Sequence, residues 1–149
     1  MQQIVNMKST EILSNDQDET LKLGKKISSR LKAGSIVCLF GDLGSGKTTL
    51  VKGIAQGLGI DPDSVNSPTF VLLNVREGKL PLYHFDLYRL EDVQEILAIG
   101  YEEYFYGEGI TVVEWAERLK YLMPEKYLRV ELFHRGENRR LIKFSKNET

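Results

Sequence analysis

Gly41-Asp-Leu-Gly-Ser-Gly-Lys-Thr48 matches the pattern G-x-x-x-x-G-K-[ST] at every fixed position, and its flanks are the ones that pattern requires. Ahead of it runs Ser35-Ile-Val-Cys-Leu-Phe40, a continuous apolar and β-branched stretch that predicts a strand buried on both faces, as in a parallel sheet. Behind it Leu50, Val51, Ile54, Ala55 and Leu58 recur at helical spacing, and Gly59 stands where that helix can end. Strand, glycine loop and helix in this order make a phosphate cradle. Gly41, Gly44 and Gly46 let successive backbone N–H groups converge on phosphate oxygens, and the helix beginning near Lys47 adds the positive end of its dipole. Lys47 can then reach the β- and γ-phosphates while the Thr48 hydroxyl coordinates Mg²⁺. Glycine-rich turns also occur in connections that bind nothing; the correct flanks argue against that here.

The rest of the chain sets the limits. At 149 residues it is expected to form a single domain spanning residues 1–149, and a domain of this size buries about 70% of the surface its unfolded chain exposes. Hydrophobic content of 42% and charged content of 28% are ordinary globular values, so a core without staples is expected. A formal net charge of −1 argues against a protein that coats nucleic acid or anionic membrane by bulk charge. The one cysteine, Cys38, sits mid-strand and reads as core packing, because a buried thiol behaves as a small hydrophobe. No apolar h-region opens the sequence and no apolar run approaches a bilayer span, so a cytoplasmic setting is expected. Two histidines and one cysteine, far apart, form no zinc-ligand pattern.

Outward from the glycine loop, the pattern predicts α/β architecture: a P-loop NTPase-like three-layer sandwich around a mixed, mostly parallel sheet. Residues Lys8 to Leu13 predict a short strand, and Ser14 to Glu19 supply caps for a helix running to about Lys32. Val71 to Val75 and Leu80 to Tyr88 read as strands joined by a turn at Glu77-Gly-Lys79. Glu91-Asp92 open a helix carrying Val93, Ile96, Leu97 and Ile99, which Gly100 interrupts. Gly109 to Val113 is another buried-type strand, followed by a short helix that stops at Pro124. Tyr127 to Phe133 and Arg139 to Phe144 predict a hairpin around Gly136-Glu-Asn138.

Hydrolysis needs more than a P-loop: an acidic group for Mg²⁺ or the attacking water, and a sensor near the γ-phosphate. Glu114 follows Ile-Thr-Val-Val, the apolar strand and terminal acid of a Walker-B element; its bland alternative is an i,i+4 pair with Arg118. Asp86 is an acid amid the apolar residues of Tyr83-His-Phe-Asp-Leu-Tyr-Arg89; its bland alternative is a cap for the next turn. Thr69, in Ser67-Pro-Thr69, is a candidate switch threonine or an ordinary turn residue. Trp115 reads as packing at a strand end or as a neighbour of the nucleotide, and Arg89 as a surface ion pair or a transition-state cation. His84 and His134 are read as structural, and Arg135, Arg139, Arg140 and Lys143 as a solvated basic hairpin rather than a nucleic-acid contact.

Four motifs in order, Gly41-Asp-Leu-Gly-Ser-Gly-Lys-Thr-Thr49, Ser67-Pro-Thr-Phe70, His84-Phe-Asp-Leu-Tyr-Arg-Leu90 and Val113-Glu-Trp-Ala-Glu117, stand in a chain of this length. In this the sequence resembles the bacterial TsaE proteins, formerly called YjeE, over roughly Glu11 to Leu141. The resemblance implies a Mg²⁺-dependent ATPase needed for threonylcarbamoyladenosine modification of adenosine 37 in ANN-decoding tRNAs. It implies work in a complex with TsaD, which transfers the threonylcarbamoyl group, and TsaB, with ATP hydrolysis resetting the complex between turnovers. Residue by residue, it implies nucleotide contacts from Gly41, Asp42, Leu43, Gly44, Ser45, Gly46, Lys47, Thr48, Thr49, Thr69 and Trp115. It also implies Mg²⁺ on Thr48 and Glu114, catalysis by Asp86 with Lys47 and Glu114, and tRNA engaged mainly through the partners.

Three rivals make different demands. A small-molecule kinase needs an arginine-rich lid, but Glu91 to Gly107 is acidic and aromatic. A regulatory GTPase needs Asp-x-x-Gly and Asn-Lys-x-Asp, and neither string occurs. A nucleotide-dependent scaffold with little turnover has no need of Asp86 and Glu114.

Overall fold

The computed structural model describes residues 9–42, 44–65 and 72–147. Its strands are β1 (Ser9–Ser14), β2 (Ile36–Phe40), β3 (Leu73–Arg76), β4 (Leu82–Asp86), β5 (Ile110–Glu114), β6 (Tyr127–His134) and β7 (Arg140–Asn147). They form one sheet in the order β1-β7-β6-β2-β5-β4-β3. The glycine-loop strand β2 lies at its centre with β5 and β6 parallel on either side, and β4 is parallel to β5. Antiparallel strands β3, β7 and β1 complete the edges. Helices α1 (Gln17–Ser28), α2 (Lys47–Gly57), α3 (Gln94–Ala98) and α4 (Tyr101–Phe105) cover the sheet, with 3₁₀ segments at Pro62–Val65 and Ala116–Leu122. The expected mixed α/β sandwich is the fold observed.

Alternation along β2 explains why its sequence is apolar throughout. Val37 and Leu39 join one core with Leu23 and Ile27 of α1 and Leu50 and Ile54 of α2. Ile36 and Cys38 join a second core, on the opposite face, with Ile96, Phe105 and Leu119. Burying an aliphatic side chain of this size contributes about 1.5–3 kcal/mol, so a polar residue at any of these four positions would open one core or the other. Cys38 is a packing residue; burial pushes its thiol up to about 12.

Helix α1 begins as the sequence predicts, with Asp16 accepting the Glu19 N–H and the Glu19 carboxylate accepting the Asn15 N–H. It ends at Ser28, short of the expected Lys32. The hydroxyls of Ser28 and Ser29 donate to the carbonyls of Lys25 and Lys26, and Arg30 and Leu31 bond three residues back. Such local bonds compete with the helical ladder. The return strand β4 is also shorter than the expected Leu80 to Tyr88, because Pro81 brings no N–H and the Asp86 carboxylate turns the chain by accepting from Tyr88 N. The expected short helix after β5 is a 3₁₀ segment broken at Lys120, whose φ is 53°.

Helices α1 and α2 cross with their backbones in contact. A Cβ built on Gly53 would lie 2.1 Å from the Leu21 carbonyl oxygen, and one on Gly24 would lie 2.4 Å from that of Leu50. Glycine at both positions therefore sets how closely α1 and α2 approach. No helix among the described residues is long and apolar enough to cross a membrane.

Candidate functional site

Period two along β4 and β5 decides which side chains meet α2. Leu82, Ile110 and Val112 belong to the α1–α2 core, whereas Phe85 and Val113 belong to the other. His84 and Asp86 therefore share the α2 face of β4, and Glu114 the same face of β5, with Asp86 paired to Glu114 in register. These acids stand at the carboxyl ends of parallel strands, where open α/β sheets bind ligands. The glycine loop leaves β2 beside them and ends in the first turn of α2.

The loop owes its path to glycine. Gly41 and Gly46 have φ of 151° and 102°, and a Cβ on Gly41 would lie 2.7 Å from both the Leu132 carbonyl and Ser45 Oγ. Lys47 is 5% exposed. Its ammonium donates to the carbonyl oxygens of Gly41 and Asp42, and lies 4.1 Å from the centre of the Trp115 ring. Burial lowers its pKa, and Glu114, Glu117, Asp42 and Asp86 oppose that shift. Among the described residues its charge meets loop carbonyls, the Ser45 hydroxyl at 3.5 Å and an aromatic face, so Lys47 is a cation ready for a stronger anionic partner.

Glu114, 4% exposed, receives two donors: Thr48 Oγ1 at 3.2 Å on Oε1, and His84 Nε2 at 2.6 Å on Oε2. Arg118 is not its partner; that guanidinium donates to the Leu90 carbonyl and lies over Tyr88 and Trp115. Asp86 does accept from the Tyr88 N–H, as the capping alternative holds, and it also faces the cavity. Burial raises its pKa, Glu114 adds to the rise, and the Tyr88 hydrogen bond opposes it. Trp115 has φ of 58°, and its ring packs 5.1 Å from that of Tyr88.

These groups surround a cavity of about 400 Å³, within the size range of small-molecule sites. Gly44 to Thr49, Asp86, Glu114 and Trp115 line it, together with Gln17, Thr20, Asn138 and Arg140. Gly41 and Asp42 lie just outside it, bound to Lys47. Arg89 is exposed and does not line it. Leu43 and Thr69, with the rest of Ser67-Pro-Thr-Phe70, lie outside the described residues. Among the described residues no group of three or more His, Cys, Asp and Glu can hold an ion alone. The adjacent oxygens of Thr48 and Glu114 suit a hard cation that draws its remaining ligands from phosphates and water.

Two residues of this site escape the sequence reading. His84, taken there as structural, touches Glu114; the signal was its position two residues before Asp86, on the same strand face. Arg140, taken as part of a solvated hairpin, instead donates to the Gly44 carbonyl at 2.9 Å, and its Nε is buried with no hydrogen-bond partner among the described residues. The hairpin folds back over the glycine loop, a contact no local pattern announces. Lys143 does behave as a surface cation, pairing with Glu11 at 3.6 Å.

The family model described as "Threonylcarbamoyl adenosine biosynthesis protein TsaE" matches residues 14–142. A Nostoc protein, "tRNA threonylcarbamoyladenosine biosynthesis protein TsaE", is 46% identical over 136 residues, which is 88% of this chain and 82% of the relative. The Bacillus subtilis protein of the same name is 41% identical over 93% of this chain and 87% of its own length. The crystal structure of Bacillus subtilis YdiB superposes with a TM-score of 0.77 at 33% identity, covering 95% of this chain and 87% of that one. The sheet with the glycine loop at its centre, the two strand-end acids and these relatives agree: the chain belongs to the TsaE family.

Proposed function

We propose that the chain binds and hydrolyses ATP with Mg²⁺ in tRNA threonylcarbamoyladenosine biosynthesis, as the ATPase subunit of the reaction that modifies adenosine 37 of ANN-decoding tRNAs. The pathway rests on the family and on the names of its relatives. The chemistry rests on one observation: Lys47, Thr48, Asp86 and Glu114 converge on a single cavity at the strand ends. TsaD and TsaB are the proposed partners, reached through the same resemblance. Hydrolysis resets their complex between turnovers, and tRNA is met mainly through them.

In this reading the backbone N–H groups of Gly44 to Thr49 cradle the phosphates. Lys47 exchanges the Gly41 and Asp42 carbonyls for β- and γ-phosphate oxygens. Thr48 and Glu114 would hold Mg²⁺, which would supply positive charge to offset that developing on the phosphates. Asp86 Oδ accepts the proton of the attacking water, a task suited to a carboxylate whose burial raises its affinity for protons. Trp115 shields the Lys47 ammonium and the phosphates from solvent.

The test is ATP hydrolysis by the purified chain, alone and then with TsaD and TsaB, with Asp86→Ala as control. Partner-stimulated turnover that the control lacks is expected. Lys47→Ala should lose nucleotide binding, whereas Asp86→Ala and Glu114→Ala should keep ATP and lose turnover. Partners that neither bind nor stimulate, together with phosphoryl transfer to a small hydroxyl compound, would replace this reading with the kinase one.

A further inference from the structure

Glu114 ends a strand, and a carboxylate there can rotate unless donors hold both oxygens. In this chain both are held, from different elements. Thr48 of α2 occupies Oε1 at 3.2 Å and His84 of β4 occupies Oε2 at 2.6 Å. The histidine is 8% exposed, so water does not compete freely for the contact. An ionised carboxylate offers only acceptors, so the proton in the short contact sits on Nε2, in the neutral tautomer or the imidazolium alike. A purely structural residue at position 84 could be apolar, as Leu82 and Phe85 are, but it would leave Oε2 without a donor.

We propose that His84 is a positioning residue for the metal: by keeping Glu114 Oε2 engaged, it makes Oε1 the one oxygen that the carboxylate presents beside Thr48. The inference rests on the Mg²⁺-nucleotide reading above. Its consequence is selectivity. Mg²⁺ takes six ligands in near-ideal octahedral geometry and accepts single carboxylate oxygens, whereas Ca²⁺ tolerates seven or eight ligands and readily takes both oxygens of one carboxylate. Holding one oxygen back disfavours the larger ion. Orienting partners of this kind are worth roughly 10- to 100-fold in metal affinity or activity.

The experiment is calorimetric titration of ATP into the full chain without metal, then at graded Mg²⁺ and, separately, graded Ca²⁺. The variants are His84→Phe, which keeps a ring and loses the donor, and His84→Gln, which carries an amide N–H to a similar reach. His84→Phe should bind metal-free ATP like the parent, need roughly tenfold or more Mg²⁺ for half-maximal enhancement, and discriminate less between Mg²⁺ and Ca²⁺. His84→Gln should recover most of both properties. Unchanged Mg²⁺ demand and unchanged discrimination in a folded His84→Phe would overturn the proposal, as would a His84→Gln variant no better than it. Should His84→Phe not fold, His84→Asn, whose amide stops short of Oε2, takes its place under the same criteria. A parent chain that binds no ATP would instead refute the nucleotide reading, and this proposal with it.

Discussion

Replacing Gly53 with alanine sets two effects against each other. In an isolated helix the change stabilises by up to about 1 kcal/mol, because alanine loses less backbone entropy than glycine. At the α1–α2 crossing the new methyl would stand 2.1 Å from the Leu21 carbonyl oxygen and 2.9 Å from Gly24 Cα. Both neighbours are backbone, so neither can rotate away. The shortfall against ordinary contact is roughly 1 Å, which the helices can recover only by parting along a face that carries Leu23, Ile27, Leu50 and Ile54. Overpacking of this sort costs about 1–3 kcal/mol or more, so the steric term wins and Gly53→Ala should destabilise by about 1–2 kcal/mol net. For a domain of this length that lowers the Tm by roughly 3–8 °C. Because α2 carries Lys47 and Thr48 at its first turn, ATP affinity should fall as well. Thermal unfolding followed by circular dichroism, with ATP titration on the same samples, measures both. A Tm equal to or above that of the parent would refute the reasoning, since it would mean the crossing relaxes at no cost.

Other expectations follow from single groups. The pKa of Asp86 is raised in the folded chain, so its protonated form is the one folding favours; that contribution is complete below about pH 4 and lost as the carboxyl ionises above it. Asp86→Asn should therefore raise the Tm at pH 7, with the gain shrinking toward pH 4, while abolishing ATP turnover; a lower Tm at pH 7 would count against it. Arg140→Ala should weaken ATP binding roughly tenfold, the worth of one charged hydrogen bond, with Arg140→Lys a poor substitute; calorimetry matching the parent would return Arg140 to the solvated surface. Cys38, fully buried with its thiol pushed up to about 12, should resist a disulfide reagent in the native chain and react promptly in denaturant; quick native labelling would contradict the placement of β2.

The legible parts of this molecule are those written locally. The glycine loop reads directly because its spacing is fixed by one ligand and its flanks by one strand and one helix. Asp86 and Glu114 read as site acids because a charge closing an apolar strand has few other uses. His84 is less legible: a histidine inside a strand looks structural until the neighbouring strand's order brings Glu114 diagonally opposite. Arg140 was not legible, since its contact with Gly44 spans 96 residues and depends on β6 pairing with β2 rather than merely with β7. The end of α1 shows the opposite failure. The signal is local, two serines bonding back to Lys25 and Lys26, but helical periodicity continues through Leu31 and masks it.

The place of β1 at the sheet's edge bears on how the chain is made. Its ladder partner is β7, with Ser9 opposite Ser145, so β1 leaves the ribosome 136 residues ahead of the strand it pairs with. At ordinary synthesis rates that interval is on the order of ten seconds. The central strand waits too, since β5 and β6 both follow it by about 70 residues or more. The meeting of Thr48 with Glu114 cannot form in the nascent chain until the 66 residues between them have emerged. The polar run Ser9-Thr-Glu-Ile-Leu-Ser14 suits that delay: it is soluble enough to remain unpaired in water, and too weakly apolar to recruit the wrong neighbour meanwhile.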